Sequence, residues 1–145
     1  MGVVVPHRAI DFVSESTDPK QAILDFVGDL SDVQIFGNQV LIGTYFRPKR
    51  TAGGIIRVDD NLQEDMWQGK VGLVLKWGNA AYLDDDEYHF PEEDKVKVGE
   101  WCVYFVGDTK SILVRGKGGK EGGFPCRIVR DSSIRMRISD PTMIF

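Results

Sequence analysis

A long connection between two β-strands constrains this chain more than any other feature. Val40, Ile42 and Thr44 alternate with Leu41 and Tyr45, so the spacing predicts a strand that Pro48 ends. Val71-Gly72-Leu73-Val74-Leu75 predicts a second strand, nearly all apolar and broken by one glycine, a pattern suited to a tightly coiled small barrel. Between them runs Lys49-Arg-Thr-Ala-Gly53-Gly54-Ile55-Ile56-Arg57-Val58, followed by an acidic stretch that ends at Gly69. Loops of this length inside a small domain serve binding or mobility more often than folding. The loop, which carries Gly53, Gly54, Ile55, Ile56, Arg57 and Val58, is therefore the expected working part.

The remaining segments frame that loop. Asp18-Pro19 is a capping residue followed by proline at the first helical position; Ala22, Ile23, Phe26 and Val27 recur at helical spacing, and Gly28 is a stop. A helix this short is marginal alone and must dock on the barrel, on a neighbouring subunit or on a partner; Ile23, Phe26 and Val27 are the residues expected to make that contact in assembly, with Ile144 and Phe145 of the apolar tail. Val3-Val4-Val5, ended by Pro6, reads as an edge strand or arm. Later β segments are expected at Cys102 to Val106, Ile112 to Val114, Arg127 to Arg130 and Ile134 to Ile138. In the last, Ile134, Met136 and Ile138 are expected on one face, with Arg135 and Arg137 on the other as a basic stripe that could meet the acidic loops of a neighbouring copy. Residues 1–35 form an arm with the helix, 36–140 the β domain and 141–145 the tail.

Composition excludes several classes. The 145 residues, 42% of them hydrophobic, suffice for one core without metals or staples. A net charge of -4 gives no electrostatic reason for nucleic-acid binding. No apolar run approaches a bilayer span, and the N-terminus lacks the pattern of a cleaved signal, so a soluble, intracellular chain with no membrane contact is expected. Cys102 and Cys126 are expected to be unbridged. The carboxylates between Tyr82 and Asp94 lack the alternating ligands and turn glycine of a calcium loop, so a solvated charged hairpin is expected and no metal. Gly116 to Gly123 matches neither nucleotide-binding glycine pattern and reads as a flexible hairpin tip. His7 and His89 stand alone and no serine sits in a nucleophile-elbow pattern; neither an enzyme nor a cofactor is expected.

Phe36-Gly37-Asn38-Gln39-Val40-Leu41-Ile42, Thr51-Ala52-Gly53-Gly54-Ile55-Ile56, Gly69-Lys70-Val71-Gly72-Leu73-Val74-Leu75 and Val96-Lys97-Val98-Gly99-Glu100 together resemble, in order and spacing, the chaperonin-10 (GroES) family over about residues 36–140. The resemblance implies a mainly β fold: a small, partly open β-barrel with a long mobile loop after its first strand, a hairpin over the top at Asn79 to Asp94 and, in this chain, a short N-terminal helix. It also implies that the aliphatic tripeptide after Gly-Gly docks in the apical groove of a chaperonin ring, which makes Gly53, Gly54, Ile55, Ile56, Arg57 and Val58 the expected partner-binding residues. Here that tripeptide reads Ile55-Ile56-Arg57, placing a charge where an apolar side chain is expected, although arginine can bury its stem and keep its head in water. With Met66-Trp67-Gln68, the Asp140-Pro141 ending and the N-terminal extension, the chain is similar to the divergent members encoded by tailed phages. The resemblance implies a homo-oligomer with protein partners: capsid or other virion proteins, or a chaperonin ring. The first makes it a head-decorating or head-stabilising subunit, the second a co-chaperonin, in the virion or the cytoplasm of an infected bacterium.

Overall fold

The computed structural model describes residues 9, 12, 13, 15–47, 70–84, 86, 89–105, 107 and 109–143. The runs that read as β in the sequence form one antiparallel sheet of six strands: β1 (Gln39–Thr44), β2 (Val71–Trp77), β3 (Trp101–Tyr104), β4 (Lys110–Val114), β5 (Phe124–Arg130) and β6 (Ile134–Ile138). Their order is β4-β5-β1-β2-β3-β6, so among the described residues the sheet is open, with β4 and β6 at its edges. The fold is mainly β, with a short helix, α1 (Pro19–Val27), packed against the sheet.

The central strands are apolar on both faces because both faces are covered. On one face, Leu41, Leu73, Leu75, Phe124 and Cys126 meet Ile23, Phe26 and Val27 of α1, together with Ala9 and Val13. On the other, Val40, Ile42, Val74, Cys102 and Tyr104 lie under Ala81, Tyr82, Phe90 and Val96 from the connection between β2 and β3. The alternation of Val40 and Ile42 against Leu41 and Tyr45 thus sorts these residues between two cores. A bulge between Leu41 and Ile42 sets Leu75 and Lys76 against the helix side, where Lys76 Nζ donates to the Leu30 carbonyl at 2.7 Å.

The helix begins where its capping residues predict. Asp18 Oδ1 accepts from the Gln21 N–H at 3.2 Å, Pro19 opens the first turn, and Gly28 ends it with a left-handed φ of 82°. Ile23 and Phe26 are wholly buried and Val27 nearly so, all in the same core as the sheet. The expectation that they are assembly contacts is corrected accordingly: their apolar face is consumed within their own chain, where a helix of 9 residues, too short to stand alone, gains its stability.

Three further expectations are also corrected. The glycine-rich segment 116–123 is neither a free hairpin tip nor a phosphate cradle, because it closes the C-terminal end of α1. Gly116 N–H donates to the Val27 carbonyl at 2.7 Å and Lys120 N–H to the Phe26 carbonyl at 2.8 Å, while Asp29 and Lys117 exchange both backbone bonds at 2.8 Å. Carbonyls that a helix end leaves without intrahelical partners are satisfied in this way. A Cβ on Gly116 would stand 2.3 Å from the Asp29 carbonyl oxygen, so the segment is glycine-rich for close approach. Next, Ile134 and Ile138 do not share a face. A bulge between Val103 and Tyr104 turns Ile134 toward the second core and leaves Ile138 in the first. Finally, the acidic connection carries turns and a short 3₁₀ turn (Glu92–Asp94), with no strand pair among its described residues. Asp84, Asp86, Glu92, Glu93 and Asp94 face solvent while Ala81, Tyr82, Phe90 and Val96 complete the second core.

Cys102 and Cys126 are both free and buried, on opposite faces of the sheet, which excludes the Cβ approach of about 3.5–4.5 Å that a disulfide needs. Burial pushes the Cys102 thiol up to about 12 and the Cys126 thiol higher still. Neither should react with a thiol reagent at pH 8 until the chain unfolds, and the intact mass without reductant should match the dithiol. The unfolded thiols ionise near pH 8.5 while the folded ones keep their protons. Stability is therefore complete below about pH 8.5 and falls as pH rises toward 12. Urea titrations at pH 7 and pH 10 check the sign; equal midpoints would contradict it.

Candidate functional site

The loop residues Gly53, Gly54, Ile55, Ile56, Arg57 and Val58 lie outside the described residues, as do Ile144 and Phe145 of the tail. The described part of this region is the stem from which the loop departs. It leaves β1 and returns to β2, which are neighbours at the middle of the sheet. Beyond Thr44 the stem continues through a Tyr45 N–H to Val71 carbonyl bond of 3.1 Å. Tyr45 packs edge-on against Trp101 at 5.5 Å between centroids, and Phe46 edge-on against Phe124 at 6.0 Å. Both stem residues are buried, so the chain enters the loop from a fixed base. A cleft of about 480 Å³ opens beside this base, lined by Tyr45, Phe46, Trp101, Lys20, Asp140 and Pro141 among others.

The basic stripe is largely spoken for within the chain. Arg137 donates to the carbonyls of Glu93 and Lys95 at 2.9 and 2.8 Å and pairs with Glu100 at 3.1 Å. It thereby straps the acidic connection to β6 instead of waiting for a neighbour's acidic loop. Arg135 lies over the Phe105 ring at 4.9 Å. Tyr82, in the same connection, has a left-handed φ of 59°, a conformation uncommon for a tyrosine. Asp131 holds it there by accepting from its N–H at 2.8 Å, and its ring lies between Trp77 and Phe90. Burial pushes its phenol up to about 12. These arrangements fasten the lid of the second core.

The described groups that could do chemistry are weakly poised for it. Both thiols are held protonated by burial, and His89 pairs with Asp84 at 2.7 Å on the exposed surface. The Asp84 carboxyl is held below its usual range, first by the Phe90 N–H that it accepts and then by His89, an arrangement that shapes a turn. Among the described residues no three His, Cys, Asp or Glu side chains are placed to hold a metal ion, and no helix is long and apolar enough to cross a membrane.

The sheet edges present apolar surface that sequence reasoning missed. In β4, Lys110, Ser111, Ile112 and Leu113 are all exposed, with Ile112 at 44% and Leu113 at 47%. At the opposite edge, Met136 of β6 is 50% exposed beside Phe105 at 54%. Ile112-Leu113-Val114 reads in the sequence as a β segment with no sign of its position; its place at the end of the sheet leaves it open. Compared with known proteins, the chain matches no family model and no curated protein sequence.

Proposed function

We propose that this chain is a non-enzymatic structural or assembly protein, a phage virion subunit that decorates or stabilises the head by gripping protein partners through the loop between β1 and β2. The observation that carries this reading is the loop's stem. A long segment bearing the apolar pair Ile55-Ile56 leaves from the middle of the sheet, on a base locked by Tyr45 and Phe46. The central strands are covered on both faces by the chain's own cores, which leaves the loop as the apolar element best placed to meet a partner. Rigid scaffolds that present binding loops follow this plan. The two isoleucines supply the apolar anchor and Arg57 reaches water or a partner carboxylate. The virion, or the cytoplasm of the infected host during assembly, is the corresponding location.

One feature favours a second reading, a co-chaperonin that caps a chaperonin ring: Gly53-Gly54-Ile55-Ile56 stands where the chaperonin-10 resemblance places the docking tripeptide. Arg57→Leu separates the two. If the loop enters an apolar chaperonin groove, the added burial should tighten nucleotide-dependent co-sedimentation with the ring by on the order of 1 kcal/mol, roughly fivefold. If Arg57 serves a particle interface, the same change should weaken incorporation into heads by leaving a partner carboxylate unpaired. Wild-type protein absent from purified particles and bound to the ring, more tightly still as Arg57→Leu, would overturn the virion reading.

A further inference from the structure

We propose that β4 is a self-pairing edge through which two copies of this chain join their sheets about a two-fold axis at Ile112. Strand edges with unpaired backbone groups are templates for another strand, and proteins usually blunt them with charge, proline or a bulge. Of these, β4 has one lysine at its start, and its register with β5 runs unbroken from Lys110 opposite Ile128 to Val114 opposite Phe124. Among the described residues no strand pairs with β4 on its other side, and four successive residues, Lys110 to Leu113, are exposed.

The register of β4 says which backbone groups are on offer. Leu113 stands opposite Pro125, which has no N–H to give. In an antiparallel ladder bonded and non-bonded pairs alternate, so the bonded pairs to β5 are those of Lys110, Ile112 and Val114. The N–H and C=O groups of Ser111 and Leu113 therefore face the free edge. Laid antiparallel against itself about Ile112, the strand sets Ser111 opposite Leu113 of the second copy twice over, giving about four ladder bonds. Ile112 then faces its own copy in the closely spaced non-bonded pair, and Lys110 stands opposite Val114.

Charge decides why the occupant is a second β4. In the self-pair no charge opposes a like charge. The same operation on β6, centred on Met136, would set Arg135 opposite Arg137, which is destabilising, and Arg137 is already held by Glu93, Lys95 and Glu100. The pairing stands whether or not the loop reading holds, because its test reads mass and not partner binding.

Sedimentation of the full-length protein at roughly 10 to 100 μM is expected to show a dimer or an even multiple of it. Ile112→Lys, which sets like charges face to face at the axis, should weaken that association by at least about tenfold. Thermal melting shows whether the variant stays folded, which the exposure of Ile112 favours. Ile112→Cys should form a disulfide-linked dimer on mild oxidation, since facing residues in a non-bonded pair lie about 4.5 Å apart at Cα, within disulfide reach, whereas Met136→Cys should not. A monomer throughout that range, an oligomer indifferent to Ile112→Lys, or cross-linking through Met136→Cys and not Ile112→Cys would each overturn the proposal.

Discussion

Removing residues 1–30 should leave a chain that no longer folds cooperatively, and Phe26→Ala alone should cost about 3–5 kcal/mol of the roughly 5–15 kcal/mol that holds a domain of this kind together. Phe26 is wholly buried, edge-on to Phe12 at 5.5 Å and tilted on Phe124 at 5.7 Å, so its loss opens the centre of the larger core. Deletion does more. It strips Leu41, Leu73, Leu75 and Phe124 of their cover, and it removes the Phe26, Val27 and Asp29 backbone groups on which segment 116–120 is built. The sheet and that segment would lose their support together. Urea unfolding followed by circular dichroism reads both changes. A truncated chain with a sharp transition and an undiminished midpoint would show that the helix is an appendage after all.

Much of this was legible at the level of single elements. Asp18, Pro19 and Gly28 mark the ends of α1 because capping is local chemistry, satisfied within a turn of the residue that supplies it. The face alternation of β1 was legible for the same reason. Relations between elements were not. That α1 packs on its own sheet, and not on a neighbour, depends on contacts nearly a hundred residues apart, such as Phe26 with Phe124. The docking of Gly116 and Lys120 on the helix end is made by backbone atoms, so no side-chain pattern announces it. The split of Ile134 from Ile138 follows from one bulge, and a bulge in β6 leaves a sequence period of two looking intact. At the candidate site, Tyr45 and Phe46 read as the end of a strand, but their partners Trp101 and Phe124 become visible only once the sheet is assembled. The edge position of β4 is likewise a property of the topology.

Gly72 offers the other large effect, and its cause is space rather than backbone freedom. A Cβ there would stand 2.2 Å from Ile42 Cγ2 and 2.7 Å from the Gly43 carbonyl oxygen, with Tyr104 at 3.4 Å behind. Ile42 is wholly buried and cannot swing out, and the Gly43 carbonyl belongs to the strand that pairs with Gly72. Gly72→Ala must therefore part β1 from β2 or drive Ile42 off its rotamer, costing about 3 kcal/mol, at the upper end of overpacking. Gly72→Val should cost more and leave much of the chain insoluble. Because the loop at residues 48–69 springs from these two strands, the damage should reach the loop stem before the outer strands. Amide exchange at Tyr45, whose N–H bonds Val71, should then quicken ahead of exchange in β5. Ile42→Leu, which lacks the Cγ2 methyl, should return about 1 kcal/mol in the Gly72→Ala background beyond what additivity allows. The rescue is partial because the Gly43 oxygen stays in place. A Gly72→Ala chain as stable as the parent, or a double variant whose losses simply add, would mean that the contact between β1 and β2 is looser than this packing requires.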